Sequence, residues 1–446
     1  MNNISLDEWQ TLKSAEDDRR DDLIPKFDKR TEEIITKLSD KLEILELRSG
    51  LEVRATSWVG RVTVGELTIT VRPKISGLPL INLLRYAYSL RDLEVFTPTG
   101  YGASGETFQD LIIEQLANEA TELISRGLHR DYLRFDSELA SPAGRIHFGR
   151  FAHNYASAKS AILCTYYNRS DAVLLNQVLL AGLRLAGRVS TDNLLSDRVN
   201  RLAQILEPSI PTVHLRKADI DSARHIIDRR SSAYGSALTL IEMLVNGMGI
   251  SLAESNEWIQ LSGFLFDMNA FFQSLISRFL RDELPEFYIQ DEHRLKDVFE
   301  YDQANNPLRR RAVVPRPDFA VMVGGKVIEL LDAKYRDLWE TKLPRDMLYQ
   351  LAVYALSKNT GISRSTILYP TLASNAVDQV VLLKDPIYGH RCAEIVMRPV
   401  NLMELEELIR PRQRVANRRK RQAYALRLAF GNVTDAQREA SLRVAV

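Results

Sequence analysis

Cysteine is nearly missing from this sequence: its 446 residues include two, Cys164 and Cys392. A pair so far apart builds neither a disulfide framework nor a Cys/His zinc site. Both read as small buried residues of a reducing compartment. Long apolar runs are missing too: no stretch can span a bilayer, and MNNISLDEWQ at the N-terminus has no apolar signal region. The cytoplasm is therefore the expected location, with no membrane contact. Charge of one sign is also lacking, since 59 Lys and Arg stand against 58 Asp and Glu for a formal +1. That excludes a chain-wide basic bias towards nucleic acid and leaves only local patches. Finally, there is no GxxxxGK[ST] loop, because Gly324-Gly325-Lys326 lacks the earlier glycine. The chain cannot be its own nucleotide-driven motor.

What is present is an ordinary globular mixture, 45% hydrophobic and 26% charged, at a length that predicts several domains. The patterning predicts an α/β chain of the multidomain α+β kind. Residues 1–45 are a charged extension, as in SAEDDRRDDL and KFDKRTEE, where Ser5 with Glu8 forms a capping box opening a short helix. Residues 46–155 read as a β-rich domain with helical insertions. LEVRATSWVGRVTVGELTITVRPKI alternates in period two around a Gly65-Glu66 turn. Phe108, Leu111, Ile112, Leu116 and Ala120 recur at helical spacing, with Gly127 as C-cap. Residues 156–258 read as mostly helical, broken at Pro208 and Pro211. Residues 259–400 form a separate α/β module, opened by GFLFDMNAFFQSLISRFLRDEL as one amphipathic helix that ends at Pro285. Residues 401–446 are a basic helix or tail, with eight Arg or Lys and no acid between Arg410 and Arg427.

The chemistry concentrates in RPDFAVMVGGKVIELLDAKYRDL. Phe319 to Val323 and Lys326 to Lys334 read as two strands joined by Gly324-Gly325, a pair that tolerates positive φ at both turn positions. VIELLDA is almost wholly apolar, as in a buried central strand. Asp332 and Lys334 alternate onto one side, and the hairpin brings Asp318 alongside. Two carboxylates buried together need a compensating cation. Mg²⁺ or Mn²⁺ on carboxylate oxygens, with the Ala333 carbonyl as a further ligand and Lys334 beside it, is the set that phosphodiester hydrolysis requires. A plain salt-bridge cluster is the alternative reading. Gln350 and Tyr354 share a helix face at i, i+4, where they can contact DNA or a water at the metal, or simply pack.

Together these elements resemble the RecB-like branch of the PD-(D/E)xK nucleases. The whole chain further resembles the McrC family, the nuclease subunits of McrBC-type 5-methylcytosine restriction systems. The likeness rests on Pro73-Lys74-Ile75 closing the β segment, on AGRIHF at 143–148, on Asp171 and Asn176 before a helix, on FLFDMNAFFQ, and on the RPD, DAKY and Gln350/Tyr354 series, all in order over roughly residues 50–400. It implies a restriction-endonuclease-like C-terminal domain that cuts double-stranded, methylated DNA. It also implies assembly with a separate McrB-like AAA+ GTPase hexamer contacted by the N-terminal domain, in defence against phage. One position departs. Where the family carries a glutamate after the aromatic of the opening helix, this chain has Gln273, which ligates metal only through a neutral carbonyl; Asp267 and Glu329 are the substitute acids at hand. Two alternatives stay open: an assembly and GTPase-activating subunit with a weakened site, and a stand-alone nuclease of another defence or repair pathway.

Overall fold

The computed structural model describes residues 2–13, 35–36, 38–47, 50–65, 67–90, 108–148, 161–248, 262–296, 298–357, 363–410 and 416–432. The charged stretches SAEDDRRDDL and KFDKRTEE lie outside them. The fold is mixed α/β. Along the chain come β1 (Asn2–Asp7), β2 (Thr11–Lys13), β3 (Leu42–Leu47), β4 (Gly50–Ala55), β5 (Trp58–Val64), β6 (Leu67–Arg72) and α1 (Gly77–Ala87). Then follow α2 (Phe108–Arg126), β7 (Asp131–Leu139), β8 (Arg145–Ile146), β9 (Ile162–Ser170), α3 (Leu174–Val189), α4 (Asn193–Leu206), α5 (Lys217–His225) and α6 (Gly235–Met248). The last third holds β10 (Ser262–Asp267), α7 (Met268–Glu283), β11 (Tyr288–Asp291), β12 (Phe319–Val323), β13 (Lys326–Ala333), α8 (Arg345–Leu356), β14 (Arg364–Thr371), β15 (Gln379–Lys384), β16 (Arg391–Asn401), α9 (Leu402–Ile409) and α10 (Arg418–Phe430).

The chain divides into two compact units, one of residues 1–59, 64–92 and 265–446, the other of residues 60–63 and 93–264. The first is built on a six-stranded sheet ordered β11-β12-β13-β14-β16-β15. β12 and β13 pair antiparallel, β13, β14 and β16 run parallel, and β15 closes the far edge antiparallel. VIELLDA is apolar because both faces of β13 are covered. Leu330 packs with Ile367, Ile395, Leu351 and Tyr354 under α8, while α7 packs against β13 and β11. The Gly324-Gly325 turn has both residues at positive φ, 56° and 82°, as a two-residue hairpin requires.

The second unit packs α2, α3, α4 and α6 on one another around Leu116, Leu179, Leu183, Val199 and Leu244, and adds the antiparallel set β7-β9-β8. Gly144 of the AGRIHF stretch belongs to this set. It sits at φ 68°, and a Cβ there would fall 2.4 Å from the Thr165 carbonyl oxygen, so only glycine fits.

Several expectations are corrected. Ser5 and Glu8 open no helix: residues 2–7 are β1, paired parallel with β6, because Ile4 and Leu6 alternate inward with the β6 pattern. Residues 162–170 are a strand rather than helix, since ILCTYYNRS finds its partner in β7. The helix expected to begin at Gly263 begins at Met268. Asp267 stops the strand and caps the helix by accepting from the Asn269 and Ala270 N–H groups. Cys164 is buried, whereas Cys392 is exposed. The basic run from Arg418 is a helix anchored by buried Tyr424 and Leu428 and by an Arg421–Glu283 pair. Among the described residues no helix is long and apolar enough to cross a membrane.

Candidate active site

β12 begins where Asp318 ends its loop, and β13 ends at Ala333 beside it. Phe319 pairs with Leu331 across the hairpin, so Asp318 and Asp332 meet at one end of it. The Asp318 carboxylate accepts from the Ala333 backbone N–H at 2.8 Å. Lys334 Nζ lies 3.3 Å from Asp332 and 3.8 Å from Asp318. Its backbone N–H donates to the Leu368 carbonyl, which ties the residue after β13 to β14.

The electrostatics are those of a charged cluster taken out of water. Asp332 is 2% exposed, and its Oδ1 has no hydrogen-bond partner among the described residues. Burial, with the Asp318 charge added, pushes its carboxyl well above the ordinary range. Burial raises Asp318 too, against the pull of Lys334. For Lys334, burial works against the ammonium, but Asp332 and Asp318 more than offset it and hold its pKa above the usual value.

Gln273, on α7, donates from Nε2 to the Ala333 carbonyl at 3.5 Å and also bonds Asp318. Its amide thus reaches the cluster, nitrogen foremost, and a half-turn of the amide would present the oxygen instead. Gln350 Nε2 donates to the Tyr354 hydroxyl at 2.5 Å, and that hydroxyl donates to the Arg316 carbonyl at 3.0 Å. The pair therefore holds the backbone two residues before Asp318, and the tyrosine lies close enough to feel the charges of Asp332 and Asp318. The hairpin and two helices thus bring Asp318, Asp332, Ala333, Lys334, Gln273, Gln350 and Tyr354 together. Asp267 is occupied as the α7 cap, and Glu329 lies on the other face of β13, within the field of Arg398.

Sequence reasoning missed how the segment after Lys334 is held. The Tyr335 backbone N–H donates to Asn269 Oδ1 at 2.8 Å, and its carbonyl accepts from Trp9 Nε1 at 2.8 Å. Arg336 lies over the Trp9 ring. Glu8 accepts from the Lys74 backbone N–H, and Lys74 Nζ pairs with Asp337 and Glu340. The Pro-Lys-Ile turn and the start of the chain both serve this one segment. The only signal for it in the sequence was the lysine of that turn.

The model of the family described as "McrBC 5-methylcytosine restriction system component" matches residues 53–370. The chain belongs to that family. Among solved structures, it is similar to a chain of the half-complex from a tetradecameric assembly of Thermococcus gammatolerans McrB AAA+ hexamers with bound McrC. The identity is 19%, the match covers 93% of this chain and 100% of that one, and the TM-score of 0.60 marks a shared fold. A chain of the T. gammatolerans McrBC complex, at 18% identity, matches over 68% of this chain and 90% of its own length with a TM-score of 0.45. No curated protein sequence matches significantly.

Proposed function

We propose that the chain is the DNA endonuclease subunit of a modification-dependent restriction system. It would hydrolyse phosphodiesters of double-stranded, methylated DNA with Mg²⁺ or Mn²⁺, when assembled in the cytoplasm with an AAA+ GTPase hexamer of the McrB kind. The observation that carries this reading is Asp332, a carboxylate almost wholly buried with one oxygen unsatisfied, beside a second carboxylate and a lysine. Membership of the McrBC family and the lack of a phosphate loop support the need for a separate motor.

The donors present fit a hard divalent cation. Asp318, Asp332, the Ala333 carbonyl and the Gln273 amide offer oxygen ligands, and Asp332 Oδ1 is buried without a hydrogen bond while Lys334 meets the other oxygen. The set carries two carboxylates only: among the described residues no group of three His, Cys, Asp or Glu is placed to hold a metal. It therefore suits one ion rather than a pair. A cation bound there supplies Lewis acidity towards the scissile phosphate and the attacking water.

The protein's part is positional. The Ala333 N–H fixes the Asp318 carboxylate. The Lys334 ammonium, within reach of both carboxylates, donates to a phosphoryl oxygen or orients water. Gln350 and Tyr354 keep Asp318 in register with β13.

The test is cleavage of modified and unmodified DNA with the GTPase partner, GTP and Mg²⁺ added one at a time. Asp332→Ala and Lys334→Ala lower cleavage on the order of 10³-fold, as removal of preorganised electrostatic groups does, while partner binding persists. Variants that cut like wild type overturn the assignment. Gln273 favours a second reading, an assembly and GTPase-activating subunit with a weakened site. It predicts no Mg²⁺ or Mn²⁺ binding together with intact GTPase stimulation.

A further inference from the structure

Several arginines of this protein are tied down: Arg54, Arg72, Arg126, Arg198, Arg281 and Arg398 each meet a carboxylate within 3.3 Å. The loop that leads into Asp318 gathers arginines without such partners in one short stretch. Between Leu308 and Pro317 it carries Arg309, Arg310, Arg311 and Arg316 and no acid. All four are exposed, and none makes an ion pair or side-chain hydrogen bond among the described residues; the same holds for Arg294 and Lys296 on the outgoing half of the loop.

The display is nonetheless built. Asn306 accepts from the Arg310 N–H at 2.8 Å and donates to its carbonyl at 2.9 Å. Arg309 is held at φ 50°, a conformation uncommon for a residue with a Cβ. The two halves of the loop are stitched by Leu295 N–H to the Pro315 carbonyl and Glu292 N–H to the Asp318 carbonyl, both at 2.9 Å. The Tyr354 hydroxyl pins the Arg316 carbonyl.

Adjacent unpaired guanidinium groups repel one another and cost stability unless an anion meets them. A shaped backbone that keeps them together points to an anion that arrives from outside. Guanidinium is the side chain best matched to phosphate oxygens. From Arg310 to Asp318 the chain spans at most about 29 Å, less than one turn of duplex at roughly 34 Å. A duplex seated at Asp318 is therefore long enough to reach these arginines.

We propose that Arg309, Arg310, Arg311 and Arg316, with Arg294 and Lys296, form a track that holds the phosphate backbone of double-stranded DNA beside Asp318. The proposal rests on the nuclease reading for its ligand, but its test does not need cleavage. Duplex binding to the full chain is measured by fluorescence anisotropy in EDTA across a range of salt, for wild type and for the combined variant Arg309→Gln, Arg310→Gln, Arg311→Gln. Each phosphate contact contributes about 0.9 to the slope of log affinity against log salt. The variant's slope is therefore shallower by about 3, and its loss of affinity between about 50 and 200 mM salt is roughly 40-fold smaller. Its melting temperature is no lower than that of wild type, since these side chains make no ion pair or side-chain hydrogen bond among the described residues.

Arg418→Gln, Arg419→Gln, Lys420→Gln removes the same charge from α10. An equal change of slope there, an unchanged slope in the first variant, or a wild type that binds no duplex overturns the track. So does a first variant that keeps duplex binding and loses the GTPase partner instead, since that assigns the patch to an acidic protein face. Loss of cleavage in Asp332→Ala with its salt slope intact bears only on the catalytic reading.

Discussion

Two strand pairs, one in each unit, use opposite means to end with polar side chains in view. The β12–β13 hairpin is apolar and buried, and it leaves one oxygen of Asp332 without a partner. In the β7–β9 pair, β7 is exposed along most of its length, and Tyr132 and Tyr167 are each about two-thirds open to solvent. Yet the polar groups around Asp136 satisfy one another. Thr165 donates to Asp136 and meets His147, and Arg134 pairs with the same aspartate, so that the Thr165 contact holds the Asp136 carboxyl below its usual range. Exposed polar groups that pair among themselves are stable surface. A buried carboxylate with one oxygen left unsatisfied, beside a second carboxylate and a lysine, can take a partner from outside, and that difference is why the first hairpin is the candidate for chemistry.

The contrast can be broken by substitution. The largest effect on stability falls in the buried hairpin. Leu330→Ala removes a side chain packed against Ile367, Leu351 and Ile395, and destabilises the protein by about 2–5 kcal/mol in denaturant titration. Next is Glu8, whose carboxyl burial pushes up to about 7. A carboxyl whose pKa is raised on folding stabilises the fold fully at acid pH and loses that contribution as pH climbs from about 4.5 through 7. Wild type is therefore expected to lose about 3 kcal/mol relative to Glu8→Gln between about pH 4.5 and 8. A constant difference across that range contradicts this account of Glu8. Smaller again is Trp9→Phe, which removes the donor to the Tyr335 carbonyl and keeps the ring under Arg336. Cleavage falls roughly 10-fold, as for groups that orient a ligand from behind, and stability changes by about 1 kcal/mol or less. The smallest effect belongs to the exposed pair: Tyr167→Ala shifts stability by no more than about 0.5 kcal/mol. A large loss there removes the distinction between the two strand pairs.

The core of the site was legible because its signals are local. A Gly-Gly pair between two strand patterns sets the register, alternation puts Asp332 and Lys334 on one side, and i, i+4 spacing joins Gln350 to Tyr354. What escaped depends on distant pairing. ILCTYYNRS is a strand only because β7 lies beside it, and residues 2–7 become β1 only by pairing with β6. Trp9 meets Tyr335 across 326 residues of sequence, which no periodicity reports. GFLFDMNAFFQSLISRFLRDEL carried helical spacing over its whole length, but a capping aspartate at its fifth residue left the start of it in β10.

The central claim is that Asp318 and Asp332 hold a divalent cation. Calorimetric titration of Mn²⁺ into the full chain, wild type beside Asp332→Asn, tests it most directly. The account predicts one Mn²⁺ per chain in wild type and none in the variant. A wild type that takes up no Mn²⁺, or a variant that binds it equally well, contradicts it.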